Sequence, residues 1–211
     1  MSRCGSQKFV LLQSDFLLLT FMGVQAVFLV GFMASGKSTI GPELARRQSW
    51  EFIDLDSRIE AREQKTVPEI FRERGEPGFR RAETAALTEL TQNLQRSSVV
   101  ALGGGAFVQP QNRELLQSWP TVFLNAPLDE LWRRGQQDAI ERPLRTDRDQ
   151  FSRLYAERLP SYRLSTFTVE TEAKKLTDIC AEIERALALA TPAGSGGFTA
   201  GRHTSSRRES N

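Results

Sequence analysis

Short apolar runs alternate with helical patterns through the middle of the chain. Five runs rich in β-branched or aromatic residues lie at 26–30, 51–56, 98–102, 121–125 and 166–170. Apolar residues fall on both faces of each run, which is typical of strands buried in a parallel sheet. The segments between the runs are long enough for crossover helices. The pattern predicts a three-layer α/β/α domain with a five-stranded parallel sheet.

Three of the intervening segments have specific helix signals. Residues Thr66 to Glu69 have the form of a capping box, with a proline inside the first turn. A helical pattern runs from Phe79 to Leu94, and another includes Phe151 and Leu159. No internal repeat and no second domain is visible in the sequence.

The two ends of the chain lack the alternating strand and helix pattern, and we interpret them as additions to the predicted domain. Residues 9–22 are apolar but interrupted by polar residues, and they are too short to span a bilayer. A signal peptide is one reading, although no small-residue cleavage site precedes the first predicted strand. We favour an N-terminal extension over 1–24, with Met22 as the working start. Residues 191–211 are rich in glycine and serine and are predicted to be disordered, which leaves 25–190 as the domain.

Charge and cysteine content narrow the class of partner. The chain has 28 basic and 26 acidic residues, and the tail from 202 to 211 accounts for the whole surplus of +2. A neutral body argues against a non-specific nucleic-acid binder. Cys4 and Cys180 lie far apart and form no CxxC pair, so no zinc framework is visible and a reduced setting is favoured. We expect a cytoplasmic monomer with no nucleic-acid or membrane partner.

The first predicted strand leads into a phosphate-binding motif. Gly31, four further residues, and then Gly36, Lys37 and Ser38 match GxxxxGK[ST], with a strand before and a helix after. Such a loop turns its N–H groups toward phosphate oxygens, and the helix N-terminus adds its dipole. Lys37 can reach the β- and γ-phosphates, and Ser38 can ligate Mg²⁺. The alternative is a glycine-rich turn that binds nothing, and we favour a nucleoside triphosphate with Mg²⁺.

The third predicted strand ends in an unusual way for a nucleotide hydrolase. A GTPase would carry an NKxD guanine-binding signature, and none occurs in the sequence. A motor ATPase would end this strand in an acidic pair, whereas the run to Leu102 ends in Gly103, Gly104 and Gly105. Three consecutive glycines let a backbone approach a ligand more closely than any Cβ allows. Among P-loop proteins, this ending favours a small-molecule kinase over a GTPase or a motor ATPase.

Two aspartates close the second predicted run. Alternation along a strand places Asp54 and Asp56 on one face. One carboxylate can then act on the metal while its neighbour reaches the acceptor hydroxyl. The alternative is structural, because short acidic residues often end strands, and Asp56 can cap a helix that starts near Ser57.

Arginines and a polar segment complete the candidate chemistry. Arg80, Arg142 and Arg158 can pair bidentately with a carboxylate or clamp a phosphate. Taken singly, each arginine is better explained as a solvated surface charge, and spacing along the chain does not show whether the three lie together. Residues 135–149 are polar and without periodicity, which fits either a lid that excludes water or an ordinary surface loop.

Taken together, the motifs resemble those of the shikimate kinase family over about Val27 to Ala190. The matching stretches, in the family's order and spacing, are "GFMASGKSTIG", "FIDLDSRIE", "IFRERGEPGFRRAE", "VVALGGGAF", "ERPL" and "ERLPSYR". The resemblance implies an adenylate-kinase-like fold with a lid at about 135–149. It also implies transfer of the γ-phosphoryl group of ATP to the 3-hydroxyl of shikimate, in the route to chorismate and the aromatic amino acids.

The resemblance also implies a set of site residues. For ATP these are Gly31, Met33, Ala34, Ser35, Gly36, Lys37, Ser38, Thr39, Arg134 and Arg142. For shikimate they are Asp56, Arg80, Glu83, Gly103, Gly104, Gly105 and Arg158. Ser38 and Asp54 would hold Mg²⁺, and Lys37, Asp56 and Arg142 would be catalytic. Arg80 and Arg158 would hold the shikimate carboxylate, with Glu83 positioning Arg80 or the hydroxyls.

Two other functions stay open at this point. The first is a P-loop kinase for another small hydroxy acid or polyol such as gluconate, which is favoured if Arg80 and Arg158 point apart. The second is a non-catalytic nucleotide-binding module that regulates a partner. Retention of Lys37, Ser38 and both aspartates weighs against the second.

Overall fold

The computed structural model describes residues 25–137 and 147–190. The predictions for 1–24 and 191–211, and for Arg142 and most of the expected lid, fall outside the described residues. The helices are α1 (Lys37–Gln48), α2 (Leu55–Glu63), α3 (Val67–Gln92), α4 (Pro110–Leu115), α5 (Leu128–Gln137), α6 (Arg148–Tyr162) and α7 (Leu176–Ala190), with a short 3₁₀ helix at Ala106–Val108. Among these, none combines the length and apolar character needed to cross a bilayer.

The predicted five-stranded parallel sheet is confirmed. Its strands are β1 (Ala26–Val30), β2 (Glu51–Asp54), β3 (Ser98–Ala101), β4 (Thr121–Asn125) and β5 (Phe167–Glu170). They lie in the order β2-β3-β1-β4-β5, and every pairing is parallel. The strand that precedes the phosphate-binding motif therefore lies at the centre of the sheet, with β3 on one side and β4 on the other.

Helices cover both faces of the sheet, as the three-layer prediction requires. Val27 and Leu29 of β1 face a cluster that includes Leu44 of α1 and Ile183 of α7. Phe28 and the other alternate residues of β1 face a larger cluster built from the helices of the opposite layer. Side chains alternate between the two faces of a strand, so β1 supplies both halves of the core.

The two edge strands differ from the sequence prediction. The predicted runs were apolar on both faces, but residues of β2 and β5 are in part exposed, while β1 and β3 are buried throughout. An edge strand has a neighbour on one side only, and the helices cover it incompletely. The run 51–56 was also too long, because β2 ends at Asp54 and a helix begins at Leu55.

The helix before the third strand is longer than the pattern from Phe79 indicated. α3 begins at the predicted capping box, where the Thr66 side chain accepts from the N–H of Glu69 and the Glu69 carboxylate accepts from the N–H of Thr66. The helix is interrupted at Gly75, whose φ of 63° and ψ of −178° are not helical. A residue with a side chain is strained at that φ, so the glycine allows the break. The break separates the capped first turns from the part that contains Arg80.

Candidate active site

The phosphate-binding motif forms a loop at the carboxyl end of β1. Gly36 has a φ of 97° and directly precedes Lys37, the first residue of α1. The Lys37 ammonium donates to the carbonyl oxygens of Gly31 and Phe32, both at 2.8 Å. The lysine is thus held across the mouth of the loop, with the N-terminus of α1 beside it. This arrangement concentrates N–H donors and positive charge where a phosphate chain binds.

The loop lines a cavity of about 330 Å³ that extends to the neighbouring strands. Its walls are Met33, Ala34, Ser35, Gly36, Lys37, Ser38, Thr39, Asp54, Asp56, Ala101, Leu102, Gly103, Gly104 and Arg134. The carboxyl ends of β1, β2 and β3 meet here, as is usual for ligand sites in parallel sheets. Most of the residues expected to contact nucleotide or metal therefore share one cavity.

The two aspartates reach this cavity from different elements, which corrects the strand-face prediction. Asp54 ends β2 and caps α2, because its Oδ1 accepts from the N–H of Asp56 at 2.9 Å and of Ser57 at 3.3 Å. The structural alternative assigned this cap to Asp56, and that assignment is wrong. Asp56 instead lies in the first turn of α2. The turn of the helix, rather than strand alternation, places both carboxylates on the cavity wall.

The three glycines after β3 make close approaches to charged side chains. A Cβ on Gly103 would lie 2.8 Å from Oδ1 of Asp56 and 3.1 Å from Oε1 of Glu83. A Cβ on Gly105 would lie 2.4 Å from both Nη atoms of Arg80. The predicted approach to a ligand stays a prediction, and the groups that a Cβ would meet at Gly103 and Gly105 are charged side chains predicted for the same site. Any larger residue at 103 or 105 would displace those groups.

Arg80 is fixed by two carboxylates on its own helix. Its Nη1 donates to Glu83 Oε2 at 3.0 Å, and its Nε and Nη2 donate to Glu76 Oε1 at 3.2 and 2.9 Å. Glu83 is completely buried, whereas Glu76 is largely exposed. Burial raises the pKa of Glu83 to about 7, although the charge of Arg80 acts in the opposite direction. Glu76 was not predicted as a site residue, but its spacing of four before Arg80 in a helical pattern was an available signal.

Arg158 approaches the same glycine loop from α6. A Cβ on Gly104 would lie 3.5 Å from Nη1 of Arg158. The guanidinium of Arg80 lies against the next residue of the same loop, Gly105. The two arginines therefore converge, which is the arrangement that spacing left open.

Tyr162 is a second residue that the sequence analysis missed. Its hydroxyl donates to the carbonyl oxygen of Gly104 at 2.5 Å, and burial raises its pKa to about 12. It lies one helical turn after Arg158, so helical spacing from a candidate site residue was again the available signal.

Arg134 lines the same cavity from α5. Its guanidinium donates to Glu130 Oε1 at 2.7 Å, and to the hydroxyl and carbonyl oxygens of Thr171 at 3.1 and 3.0 Å. These bonds connect α5 to the segment after β5. Arg134 is therefore held at the edge of the cavity, beside the phosphate-binding loop.

Fold and loop together define a P-loop nucleotide-binding domain, with Arg80 and Arg158 gathered at the glycine loop next to the phosphate loop. The family model "Shikimate kinase" matches residues 33–188, which is most of the chain. The chain belongs to the shikimate kinase family, a family of enzymes.

Individual relatives agree with the family match. A shikimate kinase from Chlorobium chlorochromatii is 39% identical over 75% of this chain and 88% of its own length. The solved structure of a shikimate kinase from Acinetobacter baumannii in complex with shikimate has 36% sequence identity to this chain and a TM-score of 0.72. The match covers 83% of this chain and 98% of the Acinetobacter chain. A gluconokinase from Sinorhizobium meliloti is 22% identical, with a TM-score of 0.58 over 79% of this chain and 93% of its own, and it shares the fold.

The raised pKa of Glu83 predicts how stability changes with pH. Its folded pKa of about 7 lies above the ordinary value of 4.5, so the folded state binds the proton more tightly than the unfolded state does. Protonation of Glu83 therefore favours the folded state. This gain in the free energy of unfolding is fully present below about pH 4.5 and is lost as pH rises through 7. We expect the melting temperature of the wild type, relative to Glu83→Gln, to fall between pH 5 and pH 8.

Thermal unfolding followed by circular dichroism at several pH values measures this difference. Glu89→Gln is the matched control, since Glu89 is an exposed glutamate on the same helix. A pH-dependent difference as large in the control would contradict the assignment to Glu83.

Proposed function

We propose that this chain transfers the γ-phosphoryl group of ATP to the 3-hydroxyl of shikimate, a step toward chorismate and the aromatic amino acids. The convergence of Arg80 and Arg158 on the glycine loop next to the Lys37 cavity supports this proposal most directly. Two guanidinium groups that face the same loop are suited to bind an acceptor that has a carboxylate. Family membership and the relative whose structure contains shikimate agree with this choice.

At the donor end, the loop from Gly31 to Thr39 wraps the triphosphate. Its amides and the Lys37 ammonium neutralise charge that spreads over the phosphoryl oxygens in the transition state. Arg134 lies at the cavity edge, where we assign it to the nucleotide. Arg142 belongs to the expected lid, and its contact with the transferred phosphate stays a prediction.

The cavity also suits Mg²⁺, with Ser38 and Asp54 as its protein ligands. Among the described residues, no group of three His, Cys, Asp or Glu side chains could hold a metal by themselves. Mg²⁺ is commonly held by one or two protein oxygens together with substrate phosphates, and the Ser38 hydroxyl and the Asp54 carboxylate share the wall beside the loop. Asp54 uses Oδ1 for its helix cap, so Oδ2 would be the ligand atom. Bound there, the ion would offset negative charge on the phosphates.

At the acceptor end, Arg80 and Arg158 hold the carboxylate and so orient the hydroxyl. Holding the reacting groups in line contributes several kcal/mol to lowering the barrier. Asp56 is the general base, since its carboxylate lies beside Gly103 on the cavity wall between donor and acceptor ends. Glu83 holds Arg80 from the buried side.

We further propose that residues 25–190 act as one catalytic domain with a lid at about 135–149, as a cytoplasmic monomer. The test of the whole proposal is ADP production by a chain that begins at Met22, with shikimate, with gluconate and without acceptor. ADP release that requires shikimate supports the assignment. Turnover with gluconate alone would replace it, and nucleotide binding without turnover would favour a regulatory module.

Lys37→Ala should abolish shikimate-dependent ADP production and leave the fold intact. The substitution removes the cation at the phosphate site, and the core clusters do not include this residue. Circular dichroism checks the fold, and Lys65→Ala on the surface is the control. Activity in Lys37→Ala close to the wild type would exclude Lys37 from the donor site.

Arg80→Ala should raise the Michaelis constant for shikimate by at least tenfold and leave that for ATP within about twofold. A charged hydrogen-bonded pair with the carboxylate contributes about 1.5–3 kcal/mol, which corresponds to one to two orders of magnitude. Steady-state kinetics in both substrates measures the two constants. Arg81→Ala is the matched control, because Arg81 is the exposed neighbour on the same helix. Unchanged shikimate affinity in Arg80→Ala would remove the carboxylate assignment.

Asp56→Asn should lower kcat by about 10² to 10⁴, the usual range for loss of a general base. The amide keeps the size of the side chain and removes its capacity to accept a proton. Single-turnover measurements at saturating ATP and shikimate report the chemical step. A decrease of less than tenfold would leave Asp56 as a hydrogen-bonding group that positions the hydroxyl.

A further inference from the structure

We propose that Glu76 is a placeholder for the acceptor carboxylate, which binds the guanidinium of Arg80 in the acceptor-free enzyme and is displaced when the acceptor binds. Glu76 thereby sets how tightly an anionic acceptor is held. This inference rests on the proposed function, because that function assigns Arg80 to the acceptor carboxylate. In this scheme Glu76 acts through Arg80 and takes no part in the chemical step.

Buried groups lie against several sides of the Arg80 guanidinium. Its Nη1 donates to Glu83, which is fully buried. A Cβ on the buried Gly105 would lie 2.4 Å from both Nη atoms and 2.5 Å from Cζ, so the main chain lies against the end of the guanidinium that carries these atoms. The ring of the buried Phe79 has its centroid 5.2 Å from Cζ. An incoming ligand does not reach the guanidinium through these groups.

The remaining edge of the guanidinium, formed by Nε and Nη2, is bound by Glu76. Both N–H groups donate to the same carboxylate oxygen, Oε1, at 3.2 and 2.9 Å. The side chain of Glu76 is 63% exposed, whereas that of Arg80 is 15% exposed. Of the four groups that lie against the guanidinium in this description, Glu76 is the one that faces water. An acceptor carboxylate that approaches Arg80 from solvent therefore meets Glu76 at the edge it needs.

A substrate carboxylate can displace Glu76 at small cost. Glu76 accepts both hydrogen bonds with one oxygen, whereas an incoming carboxylate can accept them with two oxygens in parallel, which is the stronger geometry. An exposed ion pair between residues four apart on a helix contributes little to stability. Glu76 also directly follows the helix break at Gly75, and rotation of its exposed side chain into water is enough to free the edge.

Before the acceptor binds, Glu76 keeps Arg80 paired. The Arg80 side chain is mostly buried, and N–H groups that are buried without a partner are costly. Exchange of Glu76 for the acceptor carboxylate leaves Arg80 with two carboxylate neighbours, because Glu83 stays in place. The charge around the guanidinium is thus the same before and after the exchange. Since Glu76 stabilises the acceptor-free enzyme, its removal should strengthen acceptor binding.

The test is Glu76→Gln, which keeps the size of the side chain and removes its charge. We expect the Michaelis constant for shikimate to fall about two- to fivefold, which corresponds to about 0.4–1 kcal/mol for an exposed ion pair. The constant for ATP should stay unchanged. Damage to the site would raise the shikimate constant, so the direction of the change separates the two causes. Steady-state kinetics in both substrates measures the constants.

Glu73→Gln is the matched control for loss of one negative charge. Glu73 is an exposed glutamate three positions earlier on the same helix, and its carboxylate pairs with Lys65 rather than with Arg80. It should change neither Michaelis constant. A fall in the shikimate constant as large in Glu73→Gln as in Glu76→Gln would overturn the inference.

A double-mutant cycle tests whether Glu76 acts through Arg80. In an Arg80→Met background, Glu76→Gln should change kcat/KM for shikimate by less than about 1.3-fold, because the group for which Glu76 competes is gone. An equal gain in both backgrounds would indicate a long-range effect of charge and would contradict the placeholder role.

Calorimetric titration of shikimate into the nucleotide-free enzyme gives a measure that does not depend on turnover. The Kd for shikimate should fall in Glu76→Gln by the same factor as the Michaelis constant. A Kd equal to or above that of the wild type, with shikimate-dependent turnover in the wild type, would overturn this inference alone. Absence of shikimate turnover in the wild type would remove the proposed function and this inference with it.

Discussion

The close approach of the Arg80 guanidinium to Gly105 fixes the position of the glycine loop relative to the helix that carries Arg80. The positive group lies where any Cβ at position 105 would collide with it, so the glycine is a steric requirement. On its other side the guanidinium donates to Glu83, which is fully buried, and its charge favours the ionised form that burial disfavours. A buried charge without a partner is costly, so each group holds the other in place. An acceptor carboxylate would meet an arginine that is already oriented.

The parallel sheet places the glycine loop that faces Arg80 next to the phosphate loop. β1 and β3 are neighbours, so the loops that follow them emerge side by side at the same edge of the sheet. Gly104 lies close enough to Gly31 that a Cβ there would contact its carbonyl. Transfer between two bound substrates needs this proximity, because phosphoryl transfer depends mainly on positioning and charge neutralisation. The fold thus brings the loop that contains Lys37 next to the glycine loop that Arg80 and Arg158 face.

A helix cap contributes to the same arrangement. Asp54 accepts two N–H groups at the start of α2 and so ends β2 at that residue. The chain then turns, and Asp56 reaches the cavity from the first turn of the helix. One short sequence therefore delivers two carboxylates to one wall, with one oxygen of Asp54 used for structure. The same aspartate can serve as a cap and as a metal ligand because its two oxygens point in different directions.

Features that depend on neighbours along the chain could be predicted from the amino-acid sequence. The five strands, the capping box at Thr66 and the phosphate loop at Gly31–Ser38 all follow from local spacing and periodicity, and the motifs were enough to predict the family. Local patterns could not give the exposure of the edge strands or the end of β2 at Asp54, since these depend on coverage by other elements and on a competing helix cap. Arg80 and Arg158 are 78 positions apart in the sequence, and they face one glycine loop only because the chain folds as it does. Their convergence is set by helix packing across the sheet, and no spacing along the chain encodes that distance.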